Sequence, residues 1–115
     1  MLIFEEIGAK THLQPFALSK LAIAISLRNH DKLTPEQFLI NNEGLELNRQ
    51  TITGEYDDLF KALIINHTQE PLSDEDYFPK YLKAHLDRGA TLLYSEFKYS
   101  RGDFYKHLIN IDKGL

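Results

Sequence analysis

The sequence predicts an all-α fold, a compact bundle of about five short helices that forms an oligomer. Apolar residues recur at spacings of three and four, whereas alternation of apolar and polar residues is partial and confined to residues 45–53. Prolines and capping residues stand where several of these apolar segments begin. The 115 residues are 43% hydrophobic and include seven Phe and six Tyr, enough for one core and not for two. We therefore expect residues 1–115 to form a single domain.

Two apolar segments occupy the N-terminal part of the chain. Residues 2–10 fit either a first helical turn or an edge strand. Pro15 suits the first position of a helix, because its missing N–H would be unbonded there anyway. Residues 16–28 are apolar almost throughout, so this helix should be buried on more than one face. It is either the central core helix or a helix at a subunit interface. For an interface, the candidate residues are Leu18, Leu21, Ala22 and Ile25.

Two helices are predicted in the middle of the chain. Thr34, Pro35 and Gln37 form a capping box that opens a helix of one or two turns, which ends by Gly44. Residues 45–53 should be extended or irregular. Thr53 then caps a helix that runs to about residue 66. Its apolar face contains five residues at helical spacing: Tyr56, Leu59, Phe60, Leu63 and Ile64.

The C-terminal part should be helical after a polar loop at residues 67–76, which ends in a cap at Ser73 or Asp76. Pro79 opens the next helix, and Gly89 is a candidate C-terminal cap. Residues 90–99 form either a second helix or a kinked extension. A break follows at residues 100–103, and residues 104–111 make a last helical segment.

No residue pattern in the sequence indicates catalysis or a metal site. The absence of Cys excludes disulfides and thiolate chemistry. No two of the five His stand three or four residues apart, and no nucleophile or phosphate-loop motif occurs. The acidic clusters stand at predicted helix starts, where they complement the helix dipole. We therefore expect neither an enzyme, nor a cofactor, nor a bound metal.

The sequence predicts a soluble, cytoplasmic protein. The longest apolar run, Leu21 to Ile25, is far short of the roughly 20 residues that a membrane span requires. The first ten residues, MLIFEEIGAK, lack the basic start of a signal peptide.

The charge is unevenly distributed along the chain. Residues 1–76 carry 6 Lys/Arg and 13 Asp/Glu, a net charge of −7, whereas residues 77–115 carry 7 and 4, a net charge of +3. Basic side chains along a helix face can contact DNA phosphates, since such contacts are electrostatic and independent of sequence. The alternative is that they form salt bridges with the acidic N-terminal region. The candidate DNA-binding residues are Lys80, Lys83, Arg88, Lys98 and Arg101.

Three blocks of sequence resemble the DndE family of DNA sulfur modification proteins. Residues 45–63, LELNRQTITGEYDDLFKAL, are similar to the family block E-F/L-N-R-x-T-L/I-T-G-E-Y-D-x-L-F. Residues 84–89, AHLDRG, resemble the family's A-H-L-N/D-R-G element, and residues 18–27, LSKLAIAISL, resemble its R-I-A-x-x-x-S-L helix. The chain departs from the family at His12, where a Gly is usual, and at Lys20, where an Arg is usual. Of the family's basic leading segment, we expect only Lys10 and Thr11 here. If that segment contacts DNA, this chain should bind DNA more weakly or rely on its C-terminal lysines.

The resemblance implies a role in the bacterial machinery that replaces a non-bridging phosphate oxygen of DNA with sulfur. In that restriction-modification system, DndE proteins act beside a cysteine desulfurase, an iron–sulfur enzyme and an ATPase. The resemblance implies a non-catalytic homotetramer that binds duplex DNA and prefers nicked duplex. The alternative is a protein–protein adaptor with little DNA affinity, which the net charge of −4 favours. Within the 45–63 block, we expect Arg49 to pair with Glu55 or Asp57 rather than with DNA.

Overall fold

The structure, a computed structural model, describes residues 2–38, 49–100 and 106–108. Within these ranges the chain is helical and contains no β-strand, which confirms the all-α prediction. The described α-helices are α1 (Leu2–Thr11), α2 (Pro15–Arg28), α3 (Pro35–Phe38), α4 (Arg49–Ile52), α5 (Asp57–Thr68), α6 (Asp74–Asp76) and α7 (Lys83–Tyr99). A 3₁₀ turn, Gly54–Tyr56, precedes α5, and a π-helical segment, Tyr77–Leu82, joins α6 to α7.

Helices α2 and α7 pack against each other along the centre of the molecule. Their inward faces supply much of the core through Leu18, Ala22, Ile23, Leu86, Ala90 and Leu93. The helices approach most closely at Gly89, where an added Cβ would lie 1.7 Å from the carbonyl oxygen of Ala22. The prediction that Gly89 ends a helix was wrong, because α7 continues through it to Tyr99. This glycine permits helix contact rather than helix termination.

The N-terminal segment is a helix, not an edge strand. Helix α1 ends where Thr11 Oγ1 donates to the carbonyl oxygen of Ile7 at 2.8 Å. His12 follows in the left-handed region, with φ of 65°. Only glycine adopts this region without steric cost, so a side chain at position 12 carries some backbone strain. Helix α2 then begins at Pro15, as predicted.

The middle of the chain is more helical than predicted. One hydrogen bond of the predicted capping box is present: the Thr34 N–H donates to Gln37 Oε1 at 2.7 Å. Residues 39–48, including the predicted helix end at Gly44, lie outside the described residues. The expectation of an extended segment was wrong for residues 49–52, which form α4 and bury Ile52 in the core.

The start and face of α5 also differ from the prediction. The 3₁₀ turn delays α5 to Asp57, so Thr53 lies before that turn and not at the helix start. Helix α5 extends to Thr68, two residues beyond the predicted end. Of the predicted apolar face, Phe60 and Ile64 are buried, whereas Tyr56, Leu59 and Leu63 are exposed.

The chain from α6 to α7 is helical without a break, but it changes from α-helix to π-helix and back to α-helix. Ser73 is the cap, and its Oγ accepts the Asp76 N–H at 3.2 Å. The prediction that a helix begins at Pro79 was wrong, because Pro79 lies within the π-helical segment. Proline lacks an N–H and cannot make the regular α-helical bond, so the local widening accommodates it. Of the predicted last segment, only residues 106–108 are described, and these are helical.

None of the helices in the described ranges combines the length and the apolar character that crossing a bilayer requires.

Candidate nucleic-acid interface

Three of the five predicted DNA-binding residues present their charge at the surface, on the π-helical segment and α7. The Lys80 side chain is 63% exposed, and its Nζ lies 3.6 Å from Asp76 Oδ1. Lys83 is half-buried and places Nζ 5.4 Å from the centre of the Phe78 ring. Lys98 is exposed, with Nζ 4.6 Å from the centre of the Tyr94 ring.

These lysines form a strip, which we call the lysine strip: Lys80, Lys83 and Lys98. Helix geometry places Lys83 and Lys98 about 22 Å apart along α7 and about 60° apart around its axis. Lys80 lies three residues before Lys83, on the π-helical segment. The strip can therefore follow a phosphate backbone over most of the length of α7.

Nearby acidic groups partly neutralise the positive charge of the lysine strip. Asp76 pairs with Lys80. Burial raises the pKa of Asp87 to about 6, against the opposing influence of Lys83. Asp87 is therefore mostly ionised at neutral pH, so the strip is only moderately positive.

Arg88 binds the C-terminal end of α2, so its guanidinium is not presented for contacts with DNA phosphates. Its Nε donates to Ser26 Oγ at 2.8 Å, its Nη2 to the Ser26 carbonyl at 2.7 Å, and its Nη1 to the Asp31 carbonyl at 2.8 Å. The Ser26 carbonyl lies in the last turn of α2 and also accepts the Asn29 N–H, whereas the Asp31 carbonyl lies beyond the helix end. Arg88 therefore joins α7 to the end of α2. Arg101, the fifth predicted residue, lies outside the described residues.

Arg49 forms the other dense polar cluster. Its guanidinium contacts Asp57 Oδ2 at 2.6 Å and both oxygens of Asp74, at 2.8 and 3.0 Å. Thr53 Oγ1 and the Tyr77 hydroxyl donate to Asp57 Oδ1 at 2.6 and 3.0 Å. The cluster joins α4, α5, α6 and the π-helical segment. The expected pairing of Arg49 with Asp57 is confirmed, and Asp74 is a partner that the sequence pattern did not reveal.

The pKa values in this cluster show that its charges are fixed. Burial acts to raise the pKa of Asp57, but hydrogen bonds from Arg49, Thr53 and Tyr77 outweigh it and lower that pKa. The hydrogen bonds from Arg49 lower the pKa of Asp74. Burial, followed by the contact with Asp57, raises the pKa of Tyr77. Groups held this firmly in one protonation state are poorly suited to proton transfer near neutral pH.

His85 is a core residue. It has no exposed area, and its Nδ1 lies 2.8 Å from Ser26 Oγ. The ring packs edge-on against His67, with centroids 4.9 Å apart. Burial, aided by His67 and Arg88, lowers the pKa of His85 to about 3. In the described part of the chain, no three His, Asp or Glu side chains are arranged to hold a metal ion.

The four predicted interface residues divide into two pairs. Leu18 and Ala22 have no exposed area in a single chain, because they pack in the core. Leu21 and Ile25 are half-buried at its edge. An oligomer with this subunit fold can therefore use only the second pair.

Exposed apolar side chains lie beside Leu21, in a groove between α2 and the chain from α4 to the first turn of α5. Lys20, Gln50 and Glu55 also line this groove. Phe16 is 53% exposed and Tyr56 is 50% exposed. Both line the groove with Leu21 and Ala24, and an adjoining recess contains Ala24 and Leu63. We call this surface the α2–α5 groove: Phe16, Leu21, Ala24, Tyr56 and Leu63.

Comparison with known proteins gives one match. A family model described as DndE, DNA sulphur modification protein DndE, matches residues 3–101. No curated protein and no solved structure matches the chain.

Proposed function

This chain belongs to the DndE family of DNA sulphur modification proteins, and we propose that it is a non-catalytic subunit that binds duplex DNA, preferentially nicked, as an oligomer. The lysine strip is the observation that carries this proposal. Its ammonium groups are at the surface, and only Lys80 among them lies within an ion-pair distance of a described carboxylate. Phosphate contacts need surface cations of this kind, and they need no particular base sequence.

Oligomerisation would strengthen DNA binding that is weak in a single chain of net charge −4. One subunit offers three lysines in the strip, whereas an assembly offers several strips to one duplex. Linked contacts of this kind bind more tightly than each contact alone. In this proposal the α2–α5 groove and the half-buried Leu21 and Ile25 form the subunit contact.

The non-catalytic role is supported by what the reactive side chains do in the fold. Asp57 and Asp74 hold Arg49, and His85 bonds to Ser26 in the core. In these contacts the groups hold helices together, and this structural use supports the proposed non-catalytic role.

Fluorescence anisotropy with labelled nicked, intact and single-stranded DNA tests the proposal. We expect nicked duplex to bind most tightly, and the logarithm of the affinity to fall steeply with the logarithm of salt concentration, by a slope of about −0.9 for each phosphate contacted. An affinity that hardly changes with salt would exclude phosphate contacts as the basis of binding.

Charge-reversal variants test whether the lysine strip is the DNA-binding surface. We expect the double variant Lys80→Glu, Lys83→Glu to lose binding while its oligomeric state is unchanged. The double variant Lys10→Glu, Lys32→Glu makes the same change in charge at exposed lysines outside the strip and should retain most of the affinity. Equal loss in both variants would show that net charge, and not the lysine strip, controls binding.

The second candidate is a protein–protein adaptor within the modification machinery. The acidic net charge and the exposed apolar groove favour it. If no DNA form binds at low salt while a partner protein of the machinery co-elutes with the chain on a sizing column, the adaptor function replaces the first proposal.

A further inference from the structure

A small cavity lies beside His85. Its volume is about 150 Å³, and its apolar wall is formed by Leu33 and Phe38. Its polar lining includes Lys32, Thr68 and His85. Since a water molecule in the liquid occupies about 30 Å³, the cavity can hold about five waters or one molecule of similar size.

His85 lines this cavity and has an unsatisfied polar atom. The residue is completely buried, and its Nε2 has no hydrogen-bond partner among the described residues. Buried polar atoms are nearly always paired with protein or with a bound molecule. An unpaired one on a residue that lines a cavity therefore points to an occupant.

The hydrogen bonds behind His85 decide which kind of atom that occupant must offer. Arg88 Nε donates to Ser26 Oγ, so the hydroxyl proton of Ser26 is free to be donated onward to His85 Nδ1. The opposite arrangement would leave the hydroxyl proton of the fully buried Ser26 without an acceptor in the described part of the chain. Nδ1 is therefore the acceptor, and neutral His85 carries its proton on Nε2. The occupant must supply an acceptor oxygen.

The charges around the cavity favour an anion with a single charge. Lys32 stands on the rim, and Arg88 lies behind His85 through Ser26. Glu70 also lines the cavity, and α5 directs its C-terminal end toward it at Thr68. These negative contributions offset part of the positive charge and disfavour a dianion such as phosphate.

We propose that this cavity binds a small monocarboxylate. One carboxylate oxygen accepts from His85 Nε2–H, Lys32 supplies the opposite charge, and the apolar end of the molecule packs against Leu33 and Phe38. Phe38 is held there by edge-on contact with Tyr81, whose ring centre is 4.8 Å away. The proposal does not depend on DNA binding, because none of these groups belongs to the lysine strip.

NMR titration of the full chain with sodium propionate at constant ionic strength tests the site. We expect saturable shifts of the His85 and His67 ring signals. Propionamide, which has the same shape without charge, and sodium phosphate should give no saturable shift at the same concentrations. Saturable binding of phosphate as strongly as propionate, or shifts with propionate that do not saturate, would overturn the proposal.

Two further measurements keep the test independent of folding defects. Lys32→Met, a surface change, should weaken propionate binding about tenfold through loss of a charge-assisted contact, whereas Lys10→Met should not change it. In the unliganded wild type, the ring ¹⁵N spectrum should show the proton of His85 on Nε2. A proton on Nδ1, or equal propionate affinity in the Lys32 and Lys10 variants, would exclude the proposed mode of binding.

Discussion

At the scale of single residues, two arginines of this chain illustrate how contacts decide a role. Arg49 binds two carboxylates, and Arg88 binds the carbonyl end of α2. Both use the several donors of the guanidinium to hold separate helices at once, which a lysine ammonium does less well. The surface lysines remain for contacts with a partner.

The Arg49 cluster should contribute strongly to stability through Asp57. We expect Asp57→Ala to lower the free energy of unfolding by about 1–3 kcal/mol, since Arg49 loses one of its two carboxylate partners and the Tyr77 hydroxyl is left with the backbone carbonyl of residue 57. The exposed neighbour Asp58 occupies the same helix turn, and Asp58→Ala should change stability by less than about 0.5 kcal/mol. Urea unfolding measures both, and equal effects would contradict a structural role for the cluster.

His85 and Asp87 should make opposite contributions to the pH dependence of stability. The pKa of His85 is about 3 in the folded chain and near 6.5 when unfolded. Its contribution is therefore present above pH 6.5 and is lost as pH falls toward 3, by up to about 1.4 kcal/mol per pH unit. The pKa of Asp87 is raised to about 6. Its contribution is present below the unfolded value of 3.8 and is lost as pH rises through 6.

The variant Asp87→Asn separates these two effects. Without the ionisable group at position 87, the loss due to His85 is no longer offset, so stability should fall more steeply between pH 6 and pH 4 than in the wild type. Urea unfolding at pH 7, 6, 5 and 4 measures the difference. Parallel curves for the two proteins would show that the Asp87 carboxyl titrates alike in the folded and unfolded chains.

At the scale of helices, the contact between α2 and α7 organises the fold. Its closest point is Gly89 against the backbone of Ala22. The carbonyl end of α2 is then held by Arg88, one residue before Gly89, and by His67, whose Nε2 lies 2.7 Å from the Asn29 carbonyl. The AHLDRG block thus places a helix-contact residue and a helix-capping residue side by side.

Substitution of Gly89 tests the helix contact. We expect Gly89→Ala to destabilise the chain by about 3 kcal/mol or more, because the methyl group cannot fit against the backbone of α2. Thr91→Ala, at an exposed position of the same helix, should change stability by about 0.5 kcal/mol or less. Thermal unfolding followed by circular dichroism compares them. A Gly89→Ala variant as stable as Thr91→Ala would mean that the helices are farther apart than described.

At the scale of the whole molecule, the surface separates into regions of different chemistry. The lysine strip lies on the π-helical segment and α7, whereas the α2–α5 groove is apolar and carries Phe16 at 53% and Leu63 at 42% exposure. Apolar side chains clustered in this way favour contact with another chain. This separation would let an assembly form without covering the lysines.

Light scattering on a sizing column tests the groove as the subunit contact. We expect Phe16→Lys or Leu63→Lys to shift the protein to a smaller species, because each places a charge in the contact. Tyr99→Lys changes a more exposed aromatic residue outside the groove and should leave the assembly intact. If the groove variants keep the size of the wild type, the contact lies elsewhere.

The sequence alone determined the all-α class, the helix start at Pro15 and membership of the family. Helical periodicity and capping depend on residues close together in the chain, and the family blocks are linear patterns. The Arg49–Asp57 pair was also predictable, because its partners stand eight residues apart within one such block.

Only the tertiary structure decided the roles of Arg88, Gly89 and His85. From the sequence, Arg88 cannot be distinguished from the other basic residues of its helix, and Gly89 has the features of a C-terminal helix cap. Their partners are on α2, about sixty residues away, and no local pattern encodes which distant helix a side chain will face. The same long-range packing left Leu21 at the edge of the core while burying Leu18, although both belong to one uniformly apolar helix.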